Sequence, residues 1–208
     1  MNIDRPTIKI AGAAILASLA VIMQILPPIF ISPWSMRIDL VAIPWILCWI
    51  IFGLKPALLS ILISAPLIGF VGPLAGGWVG ATMKSVASIW MFVIPGIIAW
   101  KSGGTKHLLE NKRLFVIASI LAIIVRVGVT VIFNFYFALP FFYYMTPNDI
   151  IGFFSEATIF GLAGLGAYIG EVAFWNTIQA IVDLTASLSI GLIILRRIPG
   201  LATKQKNK

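Results

Sequence analysis

The sequence predicts an all-α integral membrane protein of six transmembrane helices, with the N and C termini cytoplasmic and capping loops on the outer side. Three observations point there. Sixty per cent of the residues are apolar and only 11% are charged, against the roughly 25% charge of a typical water-soluble domain. The apolar residues run together without the alternation of a membrane barrel, and lipid lets a chain cross only as helices or as a closed barrel. The basic residues collect between the runs in a pattern that gives the bundle one basic side.

A spanning helix needs about 20 mainly apolar residues. Residues 1–9 are basic, and the apolar stretch behind them is longer than the core of a signal peptide and lacks a polar cleavage region. It reads as a retained first span, 8–31. The second and third spans, 40–54 and 56–72, are short. Gly53-Leu54-Lys55-Pro56 separates them, a break that reads as a tight helical hairpin. The fourth and fifth, 78–100 and 114–139, flank a cytoplasmic loop at 101–113. The sixth is 172–195. Residues 1–208 form one membrane domain, expected in the plasma membrane as a multi-pass protein.

A further apolar stretch, 150–170, is settled by charge. With six spans and the N terminus inside, Arg5, Lys9, Lys55, Lys101, Lys106, Lys112, Arg113, Arg196, Arg197, Lys204, Lys206 and Lys208 face the cytoplasm, 12 of the 15 basic residues. A seventh span would carry the basic tail outside, against the positive-inside bias. Residues 140–171 therefore read as an outer-side segment, with Asp39, Asp149, Glu156 and Glu171 on or near the outer face. The net charge of +8 belongs to cytoplasmic loops facing a lipid bilayer, with no nucleic-acid partner.

Ionisable groups at membrane depth face the bundle interior and are functional candidates. Arg126 lies thirteen residues beyond Arg113, and Asp183 thirteen before Arg196. Both then sit roughly 20 Å above the inner boundary, level with one another, and a structural ion pair fixing two helices is expected. The same count sets Lys84 level with Gln179, and Asn134 level with Asn176. Asn176, Gln179, Asp183 and Ser187 share one face of the last helix, and Arg126, Thr130 and Asn134 share one face of the fifth. Two readings stay open from the residues alone: such stripes glue helices together, or they line a cavity open to the outside.

Trp34, Trp78, Phe141, Phe142, Tyr143, Tyr144 and Trp175 gather near the outer ends. An interfacial belt accounts for most of them, while some suit the walls of a pocket for a flat ligand. On the first helix Ala13 and Ala17, and Ala14 and Ser18, are small residues one turn apart. That spacing lets another helix approach closely, either within the chain or from a partner.

The sequence offers no bond-breaking machinery, so no catalytic residue and no metal site are assigned. Lys84-Ser85 ends like a phosphate-binding loop, but Met83 and Trp78 stand where glycines are required. His107, the only histidine, has no nearby ligand set or triad partners. No Gly-x-Ser-x-Gly elbow appears. Cys48, alone, forms no internal disulfide.

With these positions placed, the chain resembles the substrate-binding (S) subunit of energy-coupling-factor (ECF) vitamin transporters, most closely the riboflavin type. The motifs that carry the likeness run in order. They are the small-residue pattern of the first helix followed by Leu26-Pro27-Pro28; Met36-Arg37-Ile38-Asp39-Leu40 through Ile43-Pro44 and then Phe52-Gly53; Gly76-Gly77 before the fourth helix; Asn134-Phe135-Tyr136 with Leu139-Pro140 and Tyr143; and Phe174-Trp175-Asn176. Gly80-Ala81 and Lys84 depart from the family pattern, as do Gln179, where a lysine is common, and Arg126.

The resemblance implies a six-helix subunit that captures a vitamin near the outer face. It implies a transmembrane coupling subunit docked at Ala13, Ala14, Ala17 and Ser18, two cytoplasmic ATPase subunits as further partners, and no catalytic activity or cofactor of its own. The asparagines matching Asn134 and Asn176 contact the flavin ring in the riboflavin type. The expected ligand-contacting set is Asn134, Asn176, Gln179, Lys84, Asp39, Trp78 and Tyr143, with Arg126 and Asp183 as a structural ion pair. The leading ligand is riboflavin or a related flavin. Two alternatives remain: an anionic vitamin, if Lys84, Arg126 and Arg37 are not neutralised by Asp183 and Asp39, and a membrane scaffold without a ligand.

Overall fold

The computed structural model describes residues 5–32, 36–71, 76–156 and 158–198. Helix α1 (Pro6–Ile25) opens with proline at its first position, where the missing N–H costs nothing. It stops six residues short of the expected end of the first span. Pro27 forces Leu26 into extended geometry, and a second proline follows. The chain then folds into an antiparallel ribbon, β1 (Phe30–Ile31) and β2 (Arg37–Ile38), in which Phe30 faces Ile38 and Ile31 faces Arg37. Trp34 lies outside the described residues.

Helix α2 (Ala42–Phe52) is shorter than the expected second span. Its 11 residues reach only about 16 Å, half of a hydrocarbon layer roughly 30 Å thick. Every residue from Ala42 to Ile51 is buried. A helix apolar on all sides belongs in a core, and α2 is wrapped by its neighbours α1, α3, α5 and α10. The Trp45 indole donates to Ser64 Oγ at 2.8 Å, so the one polar atom of that buried ring is satisfied. Gly53, at φ 93°, turns the chain into α3 (Leu54–Val71).

Helices α4 (Gly77–Ser88) and α5 (Trp90–Ser102) meet at Ile89, which keeps helical geometry, so 77–102 is one rod. Gly76 precedes it at φ 91°, where a Cβ would press against the Phe142 ring and the Gly80 backbone. The expected loop at 101–113 contains a short helix, α6 (Thr105–Glu110). Asn111 then caps α7 (Lys112–Phe133), accepting from the Leu114 N–H. The rod continues through a π-helical turn (Asn134–Ala138) and α8 (Leu139–Tyr143) until Tyr144 turns left-handed. The fifth span is therefore longer than expected.

The stretch 150–170 is divided between two helices. Its first part belongs to α9 (Pro147–Ser155), which begins with a reciprocal Thr146–Asp149 capping box. Its last part opens α10 (Leu165–Arg197), which starts seven residues before the expected sixth span. At 33 residues α10 is about 50 Å long. Among the described residues five helical stretches are long and apolar enough to cross a membrane, Pro6–Ile25, Leu54–Val71, Gly77–Ser102, Lys112–Tyr143 and Leu165–Arg197, and α2 is a shorter apolar helix beside them.

Lys204, Lys206 and Lys208 fall outside the described residues. Ile15, Leu62, Ile124 and Ile193 are each at least 60% exposed on different helices, an apolar perimeter that water would not tolerate but lipid does.

Candidate functional site

Beneath the ribbon the helices separate around a cavity of about 390 Å³, inside the roughly 300–1,000 Å³ range of small-molecule sites. Its walls come from the ribbon end and from α4, α7, the π-helical turn, α8 and α10. Of the seven expected ligand-contacting residues, Asp39, Lys84, Asn134, Tyr143, Asn176 and Gln179 border it.

Trp78 does not. It is half exposed, edge-on to Phe70 with ring centroids 4.6 Å apart, and its ring covers Gly69. At 100° per residue, Trp78 stands on the opposite side of α4 from Gly80 and Lys84, which face the cavity.

The two asparagines are presented alike. Asn134 Nδ2 donates to Thr130 O at 2.8 Å, and Asn176 Nδ2 donates to Val172 O at 2.9 Å. Each amide spends one N–H on its own helix, leaving the second N–H and the carbonyl for the cavity. Asn134 opens the π-helical turn, a distortion frequent at functional sites. There its backbone N–H is shared between Thr130 O and Val131 O. Tyr168 Oη, from α10, donates to Val131 O at 2.5 Å.

The charged residues do something different. Lys84 forms an ion pair with Asp39 and donates to Gln24 Oε1 of α1 at 2.6 Å. Asp39 Oδ1 accepts from the Val41 N–H at 3.1 Å. Gln179 Oε1 accepts from the Asp39 N–H at 3.0 Å, and its Nε2 donates at 2.7 Å both to Asp39 O and to Asp183 Oδ1. Asp183 Oδ2 receives Arg126 Nη1 at 2.9 Å, with both side chains buried. Lys84, Asp39, Gln179, Asp183 and Arg126 thus form one polar girdle through α4, the chain after β2, α10 and α7. Of the three cations that border the cavity, Lys84 and Arg126 are neutralised inside the protein, and Arg37 is exposed with no ion pair among the described residues. Gln179 has most of its capacity committed to the girdle.

The fold has a counterpart among solved structures. The fold is similar to that of the S component of a bacterial ECF transporter. The two superpose with a TM-score of 0.60 at 21% sequence identity, over 94% of this chain and 97% of that one. No protein-family model matches the sequence, and no curated protein matches it. The likeness to the S component is therefore one of fold, and it spans nearly the whole of both chains.

Within that S-component fold the four small residues of α1 face two ways. Ala13 and Ala17 are buried against the chain's own core, while Ala14 and Ser18 are exposed. Residues one turn apart share a face, and the two pairs are offset by one residue, hence by about 100°. A partner can reach only the second pair.

Sequence reasoning placed Glu171 merely near the outer face. In the structure it borders the cavity, 4% exposed. Gln24 and Tyr168 were passed over as well. A signal existed: steps of four backwards along the stripe reach Val172 and Tyr168 from Asn176, and Trp175 and Glu171 from Gln179, once α10 is known to begin at Leu165. Phe30 stacks on Trp175 at 4.9 Å and 26° between planes, tying the ribbon to α10 at the cavity rim.

Proposed function

We propose that this chain is the substrate-binding subunit of an ECF-type vitamin importer in the plasma membrane, taking riboflavin or a related flavin from outside into the cavity beneath the ribbon. The observation that carries the reading is the cavity itself, with the spare amide edges of Asn134 and Asn176 on its wall. An amide offers a donor and an acceptor side by side, which suits the alternating carbonyl and N–H edge of a flavin ring. Phe142, Tyr143 and Trp175 supply flat apolar surface around it. The fold likeness to an S component supports the transport class.

The pairing of Lys84 with Asp39 and of Arg126 with Asp183 favours a neutral ligand over an anionic vitamin, because the one cation left for a carboxylate among the described lining residues is Arg37, which is exposed and already hydrated. A cavity of this size, with polar groups not consumed by packing, weighs against a scaffold held by interhelical glue alone. In this reading the chain performs no catalysis. Ala14 and Ser18 mark the face of α1 where a transmembrane coupling subunit docks, and two ATPase subunits drive the cycle.

The test is a titration of detergent-solubilised protein with riboflavin, following quenching of flavin fluorescence. Saturable binding at or below micromolar concentration is expected. No binding at that concentration removes the flavin assignment, and pantothenate or biotin binding in its place restores the anionic alternative.

A further inference from the structure

Buried polar atoms in folded proteins nearly always have partners. Four side-chain atoms among the described residues are buried without one: Ser60 Oγ, Trp90 Nε1, Arg126 Nε and Glu171 Oε1. The last two belong to residues that border the cavity. Arg126 is already matched through Nη1 to Asp183. Glu171 is in a different position. Its carboxylate takes hydrogen bonds from Ser32 and Trp175, yet one oxygen is left with no donor, and among the described residues no cation is ion-paired with it.

We propose that Glu171 is a ligand contact, accepting a hydrogen bond through Oε1 from an N–H or O–H group of the molecule in the cavity. This rests on the cavity's being a ligand site and names what that ligand must carry. Serine and tryptophan both present donors to the other side of the carboxyl, so the group is held as an acceptor, in an orientation fixed by the Phe30–Trp175 stack beside it. An acceptor fixed in an apolar wall rejects any ligand that places a carboxylate or a bare carbonyl there, because two acceptors then face each other without a proton between them. The site therefore selects for a donor-bearing ligand at the α10 wall. A neighbouring acceptor on the same ligand would satisfy Arg126 Nε.

The test uses the purified full-length chain, wild type, Glu171→Ala and Glu171→Gln, titrated with riboflavin, N3-methylriboflavin, lumiflavin, thiamine and pantothenate. Loss of a charged acceptor costs about ten-fold or more in affinity. Riboflavin affinity is expected to fall by that factor in Glu171→Ala and by less in Glu171→Gln, with the thermal midpoint unchanged for the isosteric glutamine. The analogue that lacks the contacting donor, N3-methylriboflavin for the ring N–H or lumiflavin for the side-chain hydroxyls, is expected to bind the wild type weakly and to lose nothing further in the variant. An equal loss for every flavin, or no loss at all, overturns the proposal. If thiamine binds in place of the flavins and needs Glu171, the flavin reading fails and the contact stands. A preference for pantothenate, or no binding by any probe, overturns both.

Discussion

Gln179 clasps the peptide of Asp39 from both sides, its Oε1 accepting from the Asp39 N–H at 3.0 Å and its Nε2 donating to the Asp39 carbonyl at 2.7 Å. A side chain 140 positions away in sequence thereby completes the hydrogen bonding of the backbone that joins the ribbon to α2. Replacing Gln179 with alanine strands both peptide groups and one oxygen of Asp183. A loss of about 1–3 kcal/mol per unsatisfied group is expected as a lower thermal midpoint in detergent. Hydrogen exchange should rise at Ile38 and Asp39. Glutamate in its place keeps the acceptor but sets a carboxylate against Asp183, and is expected to be worse than alanine.

The Arg126–Asp183 pair is the buried end of the same girdle. Breaking it from one side leaves an uncompensated charge, which costs about 3–5 kcal/mol. Asp183→Ala and Arg126→Met are each expected to lower the thermal midpoint strongly. The double variant should recover part of the loss, because it removes both charges. A double-mutant cycle on thermal unfolding measures this, and strictly additive losses would argue against the pairing.

Asn134→Ala and Asn176→Ala should separate binding from folding. Each deletes an amide whose only hydrogen bond among the described residues is to a carbonyl of its own helix, so the stability change should stay near 1 kcal/mol. Ligand affinity should fall about ten-fold or more for each. Parallel riboflavin titration and thermal melting check the split, and equal losses in both would mark the asparagines as glue.

Outward residues give the contrasting result. Trp78→Ala should leave ligand affinity within about two-fold, since the ring lies on Phe70 and Gly69 away from the cavity. Ala13→Leu overpacks a fully buried contact and should destabilise by about 1–3 kcal/mol. Ala14→Leu, on the exposed face, should fold and bind ligand normally while failing to support uptake when the coupling machinery is present. A vesicle uptake assay beside a binding assay reads the difference.

The capping box of α9 predicts a pH dependence confined to acid. Hydrogen bonds from the Thr146 hydroxyl and N–H hold the Asp149 carboxyl below its usual value. A carboxylate whose folded pKa is lowered contributes stability above its unfolded pKa and loses it as pH falls through the folded one. Protection of the α9 amides against exchange should stay flat from neutrality to about pH 4 and then decline. Asp149→Asn should flatten that decline.

The apolar composition and long hydrophobic runs determined by themselves that this chain is a helical bundle in lipid, because only helices or a closed barrel satisfy the backbone there and runs without alternation do not build a barrel. Helical periodicity and the depth count were enough to set Arg126 opposite Asp183, and Asn134 and Asn176 on facing stripes. These follow from a rise and a twist that every α-helix shares. The tertiary structure alone decided what depends on rotation and on contacts distant in sequence. It showed that α2 is short and enclosed by its neighbours, that Trp78 turns away from the cavity, and that Ala13 and Ala17 pack inward. It also showed that Lys84 and Gln179 spend themselves on Asp39, and that Glu171 stands at the wall with an oxygen to spare. A helical pattern gives the angle between residues on one rod. The direction in which that rod faces is set by the side chains of its neighbours, and those are not adjacent in sequence.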